Sequence, residues 1–229
     1  MNERFVVEAK KFLVAYLKDR QLEYEQRHPW RQSWEFVVLH CLRVENYVKR
    51  ILKEENHSLS KEEAAMTQAA AVLHDIGRIH NREYHAELGK GIVERWLKSN
   101  EHFDIDLEYS ERMLILIEKH SHKGRLDDDF CSQVLKDADL LDELGVMTTF
   151  MASNWIDRAN PYFFNLLLDR VEGFEVSFCD KTASLLITET ARTIIKQRSE
   201  YINTFVRQLR DELDGTEMFK DMKIDEYFR

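Results

Sequence analysis

Residues 3 to 19 place Phe5, Val6, Ala9, Phe12, Leu13 and Tyr16 at intervals of three and four, which predicts a helix with one buried face. His28-Pro29-Trp30 breaks the run, because a proline strips the residue before it of helical preference. A second helix is expected from about Ser33 to Glu55. Ser60 followed by Glu63 reads as a capping box, so a third helix should run from about 61 to Ile76. It should stop at Gly77, a residue that tolerates left-handed geometry. Helical periodicity continues over about 83–98, 107–121 and 130–142, between linkers rich in Asn, Asp, Ser or Gly. Residues 161 to 180 are less regular, and Val171, Phe174, Val176 and Phe178 around Gly173 predict an exposed loop or a short extended segment. From Lys181 to Leu213 a stripe of Leu185, Leu186, Ile194, Ile195, Ile202, Phe205, Val206 and Leu209 predicts a long helix.

Composition agrees with that pattern. Seven Gly and two Pro in 229 residues leave few helix breakers, so the expected class is all-α, a helical bundle in one domain over 1–229 with no repeat or linker. A net charge of −9 argues against stable nucleic-acid binding, which needs clustered Lys and Arg. Small anionic substrates remain compatible through a local basic pocket. Cys41, Cys131 and Cys179 are odd in number and widely spaced, which reads as reduced intracellular thiols. The N-terminus lacks the apolar stretch of a signal peptide, and no run of 18 apolar residues occurs, so the expectation is a cytoplasmic protein with no membrane partner. Apolar stripes on the terminal helices would permit a homodimer.

The chemistry is concentrated in a few positions. His74-Asp75 ends the apolar run Ala-Ala-Ala-Val-Leu, His40 follows Phe-Val-Val-Leu, and Asp139 sits in Lys-Asp-Ala-Asp-Leu-Leu. Each is ionisable inside an apolar helical pattern, and burying that many such groups without a compensating cation is costly. Imidazole and carboxylate donors from separate helices can converge on one divalent ion. The donor types suit Mn, Fe, Co, Ni or Zn, with Mg tolerated.

In that order the residues resemble the HD-domain metal-dependent phosphohydrolases, whose pattern is His, then His-Asp, then a distant Asp. The resemblance covers about residues 33 to 155, in His-Cys-Leu-Arg-Val, Leu-His-Asp-Ile-Gly-Arg and Lys-Asp-Ala-Asp-Leu-Leu-Asp-Glu-Leu-Gly. The stretch from Lys181 through Thr190, Arg198 and Phe205 is more loosely similar to the C-terminal helices of bacterial nucleotide pyrophosphohydrolases. The resemblance implies metal ligation by His40, His74, Asp75 and Asp139. Some members carry two further histidines and bind a second ion, and His85 and His120 lie where those would fall, with Asp75 as the bridge. It also implies hydrolysis of a phosphoester or phosphoanhydride in a small phosphorylated substrate, a nucleotide for the bacterial subgroup. One variant places a carboxylate soon after the pair to position water. Here Ile76-Gly77-Arg78 follows, so Asp142, Glu83 or the metal alone is left for that role.

Phosphate also needs cations. Arg43 is one turn past His40, Lys119, Lys123 and Arg125 flank His120, and Lys136 lies one turn before Asp139. Solvated surface charge is the ordinary reading of each, and Arg43 is favoured because its neighbours are apolar. His120 or His122 is a candidate to protonate the leaving oxygen. His28, His57, His80 and His102 read as surface or loop residues. Two other functions fit the same residues: a di-iron oxygenase on this scaffold, or a catalytically silent nucleotide-binding module.

Overall fold

The computed structural model describes residues 1–100, 105–124 and 129–214; Arg125 and His102 lie outside them. Among the described residues the chain is all-α, and no helix is long and apolar enough to cross a membrane. Contacts group the described residues into two compact units, one within 1–142 and 185–192, the other within 143–184 and 193–214.

The first unit holds α1 (Glu3–Leu17), α2 (Trp34–Glu54), α3 (Lys61–Leu73), α4 (His85–Lys98), α5 (Leu107–Lys119) and α6 (Phe130–Leu141). Helix α3 is its axis and packs on α1, α2, α5 and α6. Its sequence explains that position: Ala69, Ala70, Ala71, Val72 and Leu73 are all fully buried, and a helix apolar on every side is stable only when surrounded. The small alanines let neighbours approach closely. The capping box forms as expected, with Glu63 N donating to Ser60 Oγ and Ser60 N donating to Glu63 Oε2, both at 3.0 Å.

Helix α3 ends at Leu73, earlier than the pattern suggests, and a 3₁₀ turn (Ile76–Ile79) follows Asp75. Gly77 is required here, but not for left-handed geometry: the described glycines with positive φ are Gly124 and Gly145. A Cβ on Gly77 would lie 2.2 Å from the His85 carbonyl oxygen and 2.6 Å from Gly89 N. The glycine allows the turn after the His-Asp pair to lie directly against the start of α4.

Residues 185–192 close the unit through Asp137. Its buried carboxylate accepts Ile187 N (3.0 Å), Thr188 N (2.7 Å) and Thr188 Oγ1 (2.8 Å). These bonds interrupt the helix expected over 181–213, which forms as two pieces, α9 (Val176–Leu185) and α10 (Glu189–Glu212). Asp137→Ala would strand three donors, and a loss of about 3 kcal/mol is expected, with Tm falling by roughly 6–12 °C. Asp137→Asn, which keeps one acceptor oxygen, should lose less; equal melting of wild type and the alanine variant would contradict the role.

The second unit contains α7 (Val146–Ala152), α8 (Phe163–Arg170), α9 and most of α10. The loop or extended segment expected within 161–180 does not form. Helix α8 passes through a π-helical turn (Val171–Glu175) into α9. Val171 is buried, whereas Phe174 and Phe178, four residues apart, stack at 6.1 Å on the exposed side. That spacing is helical. Gly173 obscures it but meets nothing within 4 Å, so it costs the helix only propensity.

Candidate metal centre

Six of the residues singled out in the sequence meet in the first unit. His40 comes from mid-α2, His74 and Asp75 from the end of α3, His85 from the first turn of α4, His120 from the end of α5 and Asp139 from α6. Their donor atoms form three overlapping groups, each within 4.8 Å: His40, His74 and Asp75; His74, His120 and Asp139; Asp75, His85 and His120.

Three of the rings are aimed by the same device. Nδ1 of His74 donates to Ala71 O (2.7 Å), that of His85 to Arg82 O (2.7 Å) and that of His120 to Ile117 O (2.6 Å), each three residues back. A carbonyl only accepts, so Nδ1 carries the hydrogen and Nε2 faces inward, the tautomer a metal ligand requires. His40 is held differently. Its Nδ1 meets Asp142 Oδ2 at 2.7 Å, and Arg43 grips both oxygens of Asp142 at 2.7 and 2.8 Å. His40 Nε2 then lies 3.2 Å from His74 Nε2, 3.2 Å from Asp75 Oδ2 and 3.3 Å from Asp139 Oδ1.

The Asp75 carboxylate divides the site. Oδ2 faces His40 and receives Arg78 Nη1 at 2.6 Å. Oδ1 is buried and accepts no hydrogen bond from a described residue, although His85 Nε2 lies 3.2 Å and His120 Nε2 3.5 Å away. His85 and His120 Nε2 are themselves 3.0 Å apart. Burial pulls His120 down to about 4, so near neutral pH it is an uncharged ring whose Nε2 is an acceptor. A buried carboxylate oxygen and imidazole lone pairs pointing at one another call for a cation, and nitrogen and oxygen donors of this kind fit a divalent one.

Ionisation elsewhere in the cluster tells the same story. Burial alone would lower His74, but the charges of Asp75 and Cys41 and the hydrogen bond that the ring donates to Asp139 outweigh it and push the ring up to about 10. His40 is likewise raised, burial being overcome by Asp139, Asp142 and Asp75. Asp75 is held well below the carboxylate range: Arg78 and His74 overcome its burial. Lys123 and the same two histidines do so for Asp139. Without an ion, protons on His40 and His74 supply the positive charge. Metal uptake at pH 7 should therefore release on the order of one to two protons per ion, and affinity should climb with pH toward about 10. Calorimetry in buffers of different ionisation enthalpy measures this; a binding enthalpy independent of buffer would refute it.

The remaining candidates fall elsewhere. Arg43 is bound to Asp142 rather than pointing at the centre, and Asp142 orients His40. Lys123 contacts Asp139 directly. Lys119 and His122 are exposed near the end of α5, and Lys136 is a fully buried lysine of α6. Glu83 is exposed and lines a cleft of about 570 Å³ with Glu23, Tyr24, His80, Asn81 and Arg82, apart from the six donors. His57 is exposed, while His28, though in a loop, is buried and stacks on Trp30. His80 is bound by Tyr16 and Glu23. Arg78 went unnoticed in the sequence. Its signal is its place one helical turn past Asp75, where any arginine would reach back to the carboxylate.

No curated protein matches the chain. Residues 37–144 match the model of the HD domain, a span that includes all six donors. Solved structures of similar fold include the Lin1889 protein from Listeria innocua, 22% identical over 94% of this chain and 99% of that one, with a TM-score of 0.57. A predicted HD superfamily hydrolase from an uncultured Thermotogales bacterium is 20% identical over 90% and 91%, with a TM-score of 0.59. YpgQ of Bacillus subtilis, solved in complex with ADP, is 19% identical over 93% and 96%, with a TM-score of 0.60. His40, His74-Asp75 and Asp139 stand in that order inside residues 37–144, and it is this segment that matches the HD domain.

Proposed function

We propose that the protein is a divalent-metal-dependent phosphohydrolase that cleaves a phosphoanhydride or phosphoester bond of a nucleotide. The observation that carries this reading is the six-residue donor cluster, with Asp75 Oδ1 buried and accepting no hydrogen bond from a described residue. A divalent ion in such a site supplies Lewis acidity toward a phosphoryl oxygen and lowers the pKa of water. His40, His74, Asp75 and Asp139 would hold one ion, and Asp75, His85 and His120 a second.

The protein's own groups divide the remaining work. Asp142, fixed by Arg43, keeps His40 Nε2 directed inward. Lys123, already at Asp139, would be the cation to meet a phosphoryl oxygen, a role for which the sequence favours Arg43. His122, on the exposed turn after His120, is free to carry a proton to a leaving oxygen. The nucleotide part of the reading is supported by the ADP held by YpgQ, a protein of similar fold.

The test is metal-stripped protein resupplied with Mn, Mg, Co or Ni and assayed for phosphate and pyrophosphate over nucleoside mono-, di- and triphosphates. Metal-dependent release of either product is expected, and which one appears separates ester from anhydride cleavage. Nucleotide binding without product under every metal would replace this reading with the silent module.

A further inference from the structure

We propose that Arg78 is a positioning residue that sets how many ions the centre holds, by fixing the rotation of the Asp75 carboxylate. The proposal rests on the metal-dependent reading above and concerns metal loading, not the hydrolytic step.

The geometry is specific. Arg78 Nη1 takes Asp75 Oδ2 at 2.6 Å, on the oxygen that faces His40, and this leaves Oδ1 directed at His85 and His120. Held that way, the carboxylate offers one oxygen to each group of nitrogen donors. Released, it is free to turn and present both oxygens to the His40 and His74 side, which would take from His85 and His120 the carboxylate oxygen they share.

Arg78 is itself braced. It lies on the 3₁₀ turn just before three contacts, at Ile79 and His80, that pin the preceding loop: Glu23 N donates to Ile79 O (3.0 Å), and His80 bridges Tyr16 (2.8 Å) and Glu23 (2.7 Å). The Tyr24 ring from that loop stands beside the guanidinium, close enough for each to act on the other's charge. A salt bridge that served folding alone would not need this placement, and its loss would lower stability without altering ion count. A positioning role predicts the reverse emphasis.

The experiment is Mn²⁺ binding by calorimetry and equilibrium dialysis, with electron paramagnetic resonance to detect exchange coupling between ions that share a carboxylate. Arg78→Met keeps the stem beside Tyr24 and removes the charge; Arg78→Gln is run in parallel so that a folding defect in one leaves the other to decide. Wild type is expected to bind two coupled ions. Both variants should retain the first ion and bind the second about 10–100-fold more weakly, without coupling, as is usual when a partner of a metal ligand is removed. Arg78→Lys, which restores a single donor cation, should recover the coupled pair. Two coupled ions of wild-type or higher affinity in the Met and Gln variants would overturn the role of Arg78. One ion or none in wild type would instead overturn the two-ion reading beneath it.

Discussion

His74→Ala and Asp139→Ala are each expected to lose metal-dependent phosphate or pyrophosphate release by on the order of 10³-fold, because Lewis-acid stabilisation is worth several kcal/mol and each 1.36 kcal/mol is tenfold. The two residues face the same point from different helices, 3.7 Å apart at Nε2 and Oδ1. Removing His74 leaves the carboxylates without one of their two central imidazoles, and removing Asp139 leaves the half-buried Lys123 without the carboxylate it contacts. Their effects should not add, since either change empties the same site. His74→Gln serves as a control, because it keeps a polar side chain in a fully buried position. Residual metal content and melting temperature, measured alongside the rate, separate a missing ion from a missing fold. An unchanged rate in either alanine variant would refute the proposed function.

Gly77→Ala should be the most damaging glycine-to-alanine change among the described residues. The added carbon would overlap the His85 carbonyl oxygen and Gly89 N, which are backbone atoms and cannot swing away as a side chain would. Overpacking typically costs 1–3 kcal/mol and more against backbone, so a loss of about 3 kcal/mol is expected, or roughly 6–12 °C in Tm. The displacement also has a direction. Pushing α4 from the turn moves His85 away from Asp75, so ions bound through His85 should weaken more than those bound through His40. Gly91→Ala on the same helix is the comparison, since its nearest neighbour is the end of Arg95 at 3.6 Å. Equal stability of the two variants would show that the close approach is not needed.

Much of this was legible in the chain. The helices that carry ligands have long, regular apolar stripes, and their donors are the sites where an ionisable group interrupts such a stripe. His40, His74 and Asp139 stand out for that reason. What the sequence withheld is what depends on direction rather than presence. Arg43 and Lys123 both sit near ligands in sequence, yet one turns to Asp142 and the other to Asp139. Periodicity cannot rank those choices, because both faces lie within reach of a long side chain. Asp137 and Asp139 make the same point: two residues apart on α6, they project to nearly opposite sides, one to cap 187–188 and one to the centre. The segment over 161–180 misled for a different reason. Its apolar residues alternate as a strand's would over Phe174, Val176 and Phe178, while the helical pair Phe174 and Phe178 shares the same positions, and only packing distinguishes the two.

Each of His74, His85 and His120 stands at a helix terminus and is tied to a carbonyl of the adjoining turn. Helix ends are where chains open first, well before global unfolding. The opening of one terminal turn therefore breaks the tie, frees the ring and removes one donor, while the rest of the bundle stays closed. A bound ion would then leave one ligand at a time through sub-global opening, beginning at His85, the least buried of the three rings, so that its lifetime would follow the fraying of one short stretch of backbone rather than the stability of the whole molecule.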